Sequence, residues 1–96
     1  MASLRDTVKD YQEELRDGIA WVAFWKTGRS WNAEYFHLEM SDILYPEDRS
    51  RMEEIKQADP AAVVVNGYYS GYLGEDRNLD ELTAGVRLHY ENGYSN

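Results

Sequence analysis

The sequence predicts one α+β domain over residues 1–96: a small, mainly antiparallel three-stranded sheet packed by helices, in the order α-β-β-α-β-α. Three observations lead there. Two runs rich in aromatic and branched residues, 18–26 and 31–40, flank a short glycine-containing turn. Three other stretches place apolar residues at helical spacing or carry helix-start and helix-stop residues. A third apolar run, 61–65, lies between the second and third of these stretches.

Residues 3–17 read as an amphipathic helix. Ser3 can cap it, with Asp6 three residues on as a shortened capping box, and Gly18 is a good stop. At about 100° per residue, Leu4, Val8, Tyr11 and Leu15 share a narrow stripe. Asp6, Asp10, Glu13, Glu14 and Asp17 collect on another, and Arg5, Lys9 and Arg16 line up between them. The next segment alternates Ile19, Trp21, Ala23 and Trp25 against Ala20, Val22 and Phe24. Both faces are apolar, so this strand is expected to be central or covered on both sides, with Trp21 and Phe24 mostly buried. A turn at 27–30 joins it to a second strand, where Trp31, Ala33, Tyr35 and His37 alternate with Asn32, Glu34, Phe36, Leu38 and Met40.

Pro46 followed by Glu47 and Asp48 opens a helix that Asp59-Pro60 ends near Ala58. Its apolar seam is thin, Met52 and Ile55, as expected of a surface helix. Residues 61–65 form the third strand, whose pairing, parallel or antiparallel, the spacing leaves open. Asn66-Gly67 could close a hairpin, or the strand could run on into Tyr68 and Tyr69. Asn78 with Glu81 makes an N-cap pair for a last helix from Leu79 to about Asn92, and Gly93 takes the C-terminal cap position. Leu79, Leu82, Val86 and Tyr90 form its buried stripe, with Leu88 roughly opposite.

Composition bounds function more than it names it. The chain has 18 acids against 10 bases, a net charge of −8, and no cysteine. Disulfides, Cys-ligated zinc and thiol nucleophiles are excluded together. Binding along a phosphate backbone rests on Lys and Arg, so direct nucleic-acid binding is not expected. No apolar run approaches the roughly 20 residues of a membrane span, and the first ten residues lack the apolar core of a secretory signal, so a cytoplasmic location without membrane contact is expected. Residues 18–40 are neutral, with Glu34 and Glu39 against Lys26 and Arg29. The excess acid lies outside them, in five doublets: Glu13-Glu14, Glu47-Asp48, Glu53-Glu54, Glu75-Asp76 and Asp80-Glu81.

Catalytic signatures are weak throughout. His37 and His89 read as packing residues, and His37-x-Glu39 alone is a poor zinc signal. Residues 66–74 carry glycines at 67, 71 and 74, but lack the lysine and spacing of a phosphate loop, and Glu75-Asp76 would repel phosphate. Asp76 to Asp80 does not keep the alternating ligand order of a calcium loop. A carboxylate pair for glycoside hydrolysis or a Ser-His-Asp site has no motif behind it. No enzyme, cofactor or metal is therefore expected.

Three Trp, eight Tyr and two Phe make the chain aromatic as well as acidic, and both properties favour contact over chemistry. The candidate partner-binding residues are Asp6, Asp10, Glu13, Glu14, Asp17, Glu47, Asp48, Glu53, Glu54, Glu75 and Asp76, with Tyr68, Tyr69 and Tyr72 as anchors. The bland alternatives are solubilising charge and tyrosines that finish a small core. The leading expectation is a non-enzymatic inhibitor whose carboxylates imitate nucleic-acid phosphates and block a basic nucleic-acid-handling protein, a nuclease or CRISPR effector. Small acidic inhibitors that phages and mobile elements direct against CRISPR or restriction enzymes are similar in size, charge and lack of a catalytic motif, a likeness of class and not of sequence. The rivals are an adaptor or antitoxin-like module with a Tyr/Trp surface, for which a homodimer stays open, and last a small carboxylate enzyme.

Overall fold

The computed structural model describes residues 1–18, 20–37, 46–67 and 71–93. The chain forms α1 (Leu4–Asp10), α2 (Gln12–Asp17), β1 (Ala20–Thr27), β2 (Ser30–His37), α3 (Pro46–Ala58), β3 (Val63–Asn66), a 3-10 turn (Gly71–Leu73) and α4 (Leu79–Asn92). This is the expected α+β domain, with one α-helix more than the sequence suggested and a 3-10 turn besides.

The extra element comes from a break at Tyr11, where φ −122° and ψ 22° leave helical geometry. The Tyr11 N–H tightens onto the Val8 carbonyl at 3.0 Å, and the Tyr11 carbonyl then accepts from the Leu15 N–H at 3.0 Å to start α2. No glycine or proline marks the break. Tertiary packing overrides uniform helix propensity here, since Leu4, Val8 and Leu15 are all buried while Tyr11 is half-buried. The ends follow local chemistry. The Ser3 hydroxyl accepts from the Asp6 N–H at 3.1 Å, and Gly18 closes α2 in the left-handed region at φ 68°.

β1 is the central strand. It pairs antiparallel with β2 from Ala20↔His37 to Thr27↔Ser30, and antiparallel with β3 from Trp21↔Asn66 to Phe24↔Val63, giving the order β2-β1-β3. The pairing of the third strand, open in the sequence, is thus antiparallel and on the far side of β1 from β2. Gly28 at φ 62° makes the two-residue hairpin turn. Asn66-Gly67 closes no hairpin among the described residues, because the strand before it, β3, pairs with β1.

Alternation along β1 sends its side chains to two cores. Val22 and Phe24 join Leu4, Val8, Leu15, Trp31, Val65, Leu82 and Val86 beneath α1, α2 and α4. Ala23 and Trp25 join Phe36, Ile55 and Ala62 beneath α3, with Trp21, Met52 and Val64 packed at the margin. Coverage of both faces agrees with the apolar pattern. Phe24 is fully buried; Trp21, expected to be mostly buried, is half-buried, and Trp25 is the deeper tryptophan on that face. The reason is the thin seam of α3, whose single fully buried side chain among those described is Ile55. Expectations on Ile19, Leu38, Met40, Tyr68, Tyr69 and the His37 side chain fall outside the described residues.

Candidate functional site

The sheet divides the acidic residues that the sequence singles out. Asp6, Asp10, Glu13 and Asp17 are exposed on α1 and α2, and Glu14 beside them is half-buried. On the opposite face, Glu47, Glu53 and Glu54 are exposed along α3 and Asp48 is half-buried. A single flat contact cannot take in both sets. The α3 set is also partly neutralised: Arg51 lies 2.9 Å from Glu34 and 3.0 Å from Glu54.

A distant part of the sequence is held against the end of α2. Arg77 is the one non-glycine residue with positive φ among those described, at 50°. Its guanidinium donates to the Gly67 carbonyl and to the Leu15 carbonyl, the latter at 3.5 Å. Gly67 sits so close to the Leu15 carbonyl that a Cβ would collide with it. This clamp holds the loop bearing Glu75 and Asp76 against the end of α2. Asn78 then fixes where α4 begins, accepting from the Glu81 N–H at 2.9 Å and donating to the Glu81 carboxylate at 2.8 Å. The Arg5–Asp80 pair at 3.1 Å ties α1 to the start of α4.

Asp6, Asp10, Glu13, Glu75 and Asp76 make no ion pair among the described residues, while Asp17 meets Arg16 at 3.4 Å across a highly exposed contact. Exposed pairs of this kind contribute little, so the field on this side stays negative. Burial first, then the charges of Asp10, Glu34 and Glu14, push the Tyr11 hydroxyl pKa above 10.0.

Next to this acidic side lies exposed apolar surface. Tyr72, in the 3-10 turn, is 45% exposed and meets His89 edge-on with centroids 5.2 Å apart. Leu88, adjacent to His89 in α4, is 41% exposed, as its place opposite the buried stripe predicts. Tyr68 and Tyr69 lie outside the described residues. His89 itself is buried, its Nδ1 2.7 Å from the Gly85 carbonyl, which fits the packing role read from the sequence.

Two residues with long-range roles carried no sequence signal beyond their local ones. Arg77 is marked by no motif, and Asp59 reads, with Pro60, only as the end of a helix. Asp59 in fact receives hydrogen bonds from the Lys26 N–H at 2.9 Å, the Ala61 N–H at 2.9 Å and the Tyr90 hydroxyl at 2.8 Å, joining α3, β1 and α4.

Among the described residues, no group of three or more His, Asp or Glu could hold a metal ion, and no helix is long and apolar enough to cross a membrane. No curated protein and no solved structure gives a significant match to the chain. A family model does match, over residues 2–96; it describes large polyvalent-protein-associated domain 15, which suggests a phage or mobile-element context. With that match running almost end to end, the chain belongs to the large polyvalent-protein-associated domain 15 family.

Proposed function

We propose that this domain is a non-enzymatic protein-binding module that uses the acidic side formed by α1, α2 and the 75–76 loop to occupy a basic surface of a nucleic-acid-handling protein. The observation that carries this reading is the Arg77 clamp, which holds the loop bearing Glu75 and Asp76 against the end of α2; these two acids and the exposed Asp6, Asp10 and Glu13 of α1 and α2 make no ion pair among the described residues. Carboxylates fixed on a folded face attract a basic groove at long range and discriminate against acidic partners. The phage or mobile-element context that the family suggests fits an anti-defence role, with a nuclease or CRISPR effector as the target. The α3 acids, on the other face, play the part of solubilising charge in this scheme.

Tyr72 and Leu88 favour a second reading, an adaptor that binds through exposed apolar surface with the acids as a rim. Capture from cell lysate on immobilised domain separates the two. A mimic retains a basic nucleic-acid-handling protein at low salt, and releases it at high salt or when Asp10, Glu13, Glu75 and Asp76 are all changed to Lys. An adaptor retains its partner through both changes and loses it on Tyr72→Ala. Retention of no partner by the wild type under either salt condition refutes both.

A further inference from the structure

On the side of the fold where the hairpin turn approaches α4, the charge reverses. Lys26 and Arg29 from the hairpin and Arg87 from α4 line a cleft of about 360 Å³ with Trp31 and residues 1–4, and no carboxylate contributes to the lining. None of the three cations has an ion-pair partner among the described residues, whereas Arg5, Arg16 and Arg51 are each paired with an acid. In a chain of net charge −8, three unneutralised cations around one hollow form a local positive field against the general one.

The floor is fixed. Trp31 is 7% exposed, its ring meets the Tyr90 ring edge-on at 4.7 Å, and its backbone N–H donates to the Ala2 carbonyl at 3.0 Å. The Lys26 ammonium lies 5.2 Å from the centroid of the Trp31 ring, which holds the cation at the cleft without cancelling its charge. Arg29 stands on the tight turn after Gly28, and both arginine side chains are exposed, so their guanidinium forks are free to close on a ligand.

We propose that this cleft binds a compact phosphate monoester, of the size of a nucleoside monophosphate. Three cations match the dianionic phosphate better than a single carboxylate, and guanidinium groups suit its oxygens bidentately. The volume lies at the small end of the range for small-molecule sites. A long polyanion is disfavoured, because beyond the cleft it would meet a chain whose net charge is −8.

Titration with adenosine monophosphate, followed by NMR of the amide and indole resonances, tests the assignment. Saturable shifts are expected at Gly28, Arg29, Arg87 and the Trp31 indole, with none from adenosine alone. Arg29→Gln combined with Arg87→Gln should weaken binding by about tenfold or more, the loss expected for charge-assisted hydrogen bonds. Both residues are exposed, and unchanged resonances elsewhere confirm the fold; Arg16→Gln should bind as wild type does. Inorganic phosphate should occupy the same residues more weakly, and binding as tight as the monophosphate would overturn an organic ester as ligand. Non-saturating shifts, an unaffected double variant, or tighter binding of an oligonucleotide lacking a terminal phosphate would overturn the proposal outright.

Discussion

Asp59 shows what a single residue does beyond its local role. Burial opposes its ionisation, but the hydrogen bonds from Lys26, Tyr90 and Ala61, with the Lys56 charge nearby, hold its pKa below the ordinary 3.8. A depressed folded-state pKa adds stability that is present above pH 3.8 and is lost as pH falls through the lower folded value. Its partner Tyr90 is pushed up from 10.0 to about 12, by burial first and then by the Asp59 bond and charge. That stabilisation is complete below pH 10 and is lost as pH rises through about 12. Tyr90→Phe should therefore cost about 1–2 kcal/mol at neutral pH and flatten both the acid and the alkaline limbs of a melting-temperature profile. Profiles parallel to wild type at both extremes would rule the pair out as a stabilising link. Burial predicts a second contrast: Phe24→Ala should cost about 3–5 kcal/mol, and Trp21→Ala, half-buried, clearly less, as denaturant melts would show.

At the scale of elements, the parts most legible in the sequence were those encoded by neighbours. Ser3, Gly18, Asn78 and Gly93 mark helix ends by their own side chains or positive φ, and Pro46–Ala58 runs as its start and stop residues indicate. The break at Tyr11 was not legible, because no local residue encodes it. Gly85 makes the same point within α4. Propensity alone would have Gly85→Ala stabilise the helix by about 1 kcal/mol. Yet a Cβ there would lie 2.5 Å from the Tyr72 carbonyl oxygen and 2.8 Å from Leu73 Cδ2, where the 3-10 turn packs on the helix. Overpacking against backbone costs about 1–3 kcal/mol, so the variant should be less stable than wild type by thermal melting. A raised melting temperature would mean that the turn can yield.

For the whole molecule, the antiparallel class and two-sided coverage followed from the apolar faces of β1, while the site was only half legible. Sequence supplied the acids but not their distribution, since the placement of α3 opposite α1 and α2 depends on how β3 crosses to the far side of β1. Likewise, Lys26 and Arg29 stood out in a neutral segment, but their meeting with Arg87 is a product of the fold. The domain therefore carries one basic cleft on a net acidic surface, and its proposed partner is a matter of the acids of α1, α2 and the 75–76 loop. Rim charges act mainly on association rate and salt response, and buried anchors on dissociation. The most direct test is the association rate of the captured partner at two ionic strengths, for wild type and for Glu75→Lys with Asp76→Lys. A binding surface on this side predicts slower association and a flatter salt dependence in the variant, with dissociation little changed. Equal association rates at both ionic strengths would contradict it and leave Glu75 and Asp76 as solubilising charge.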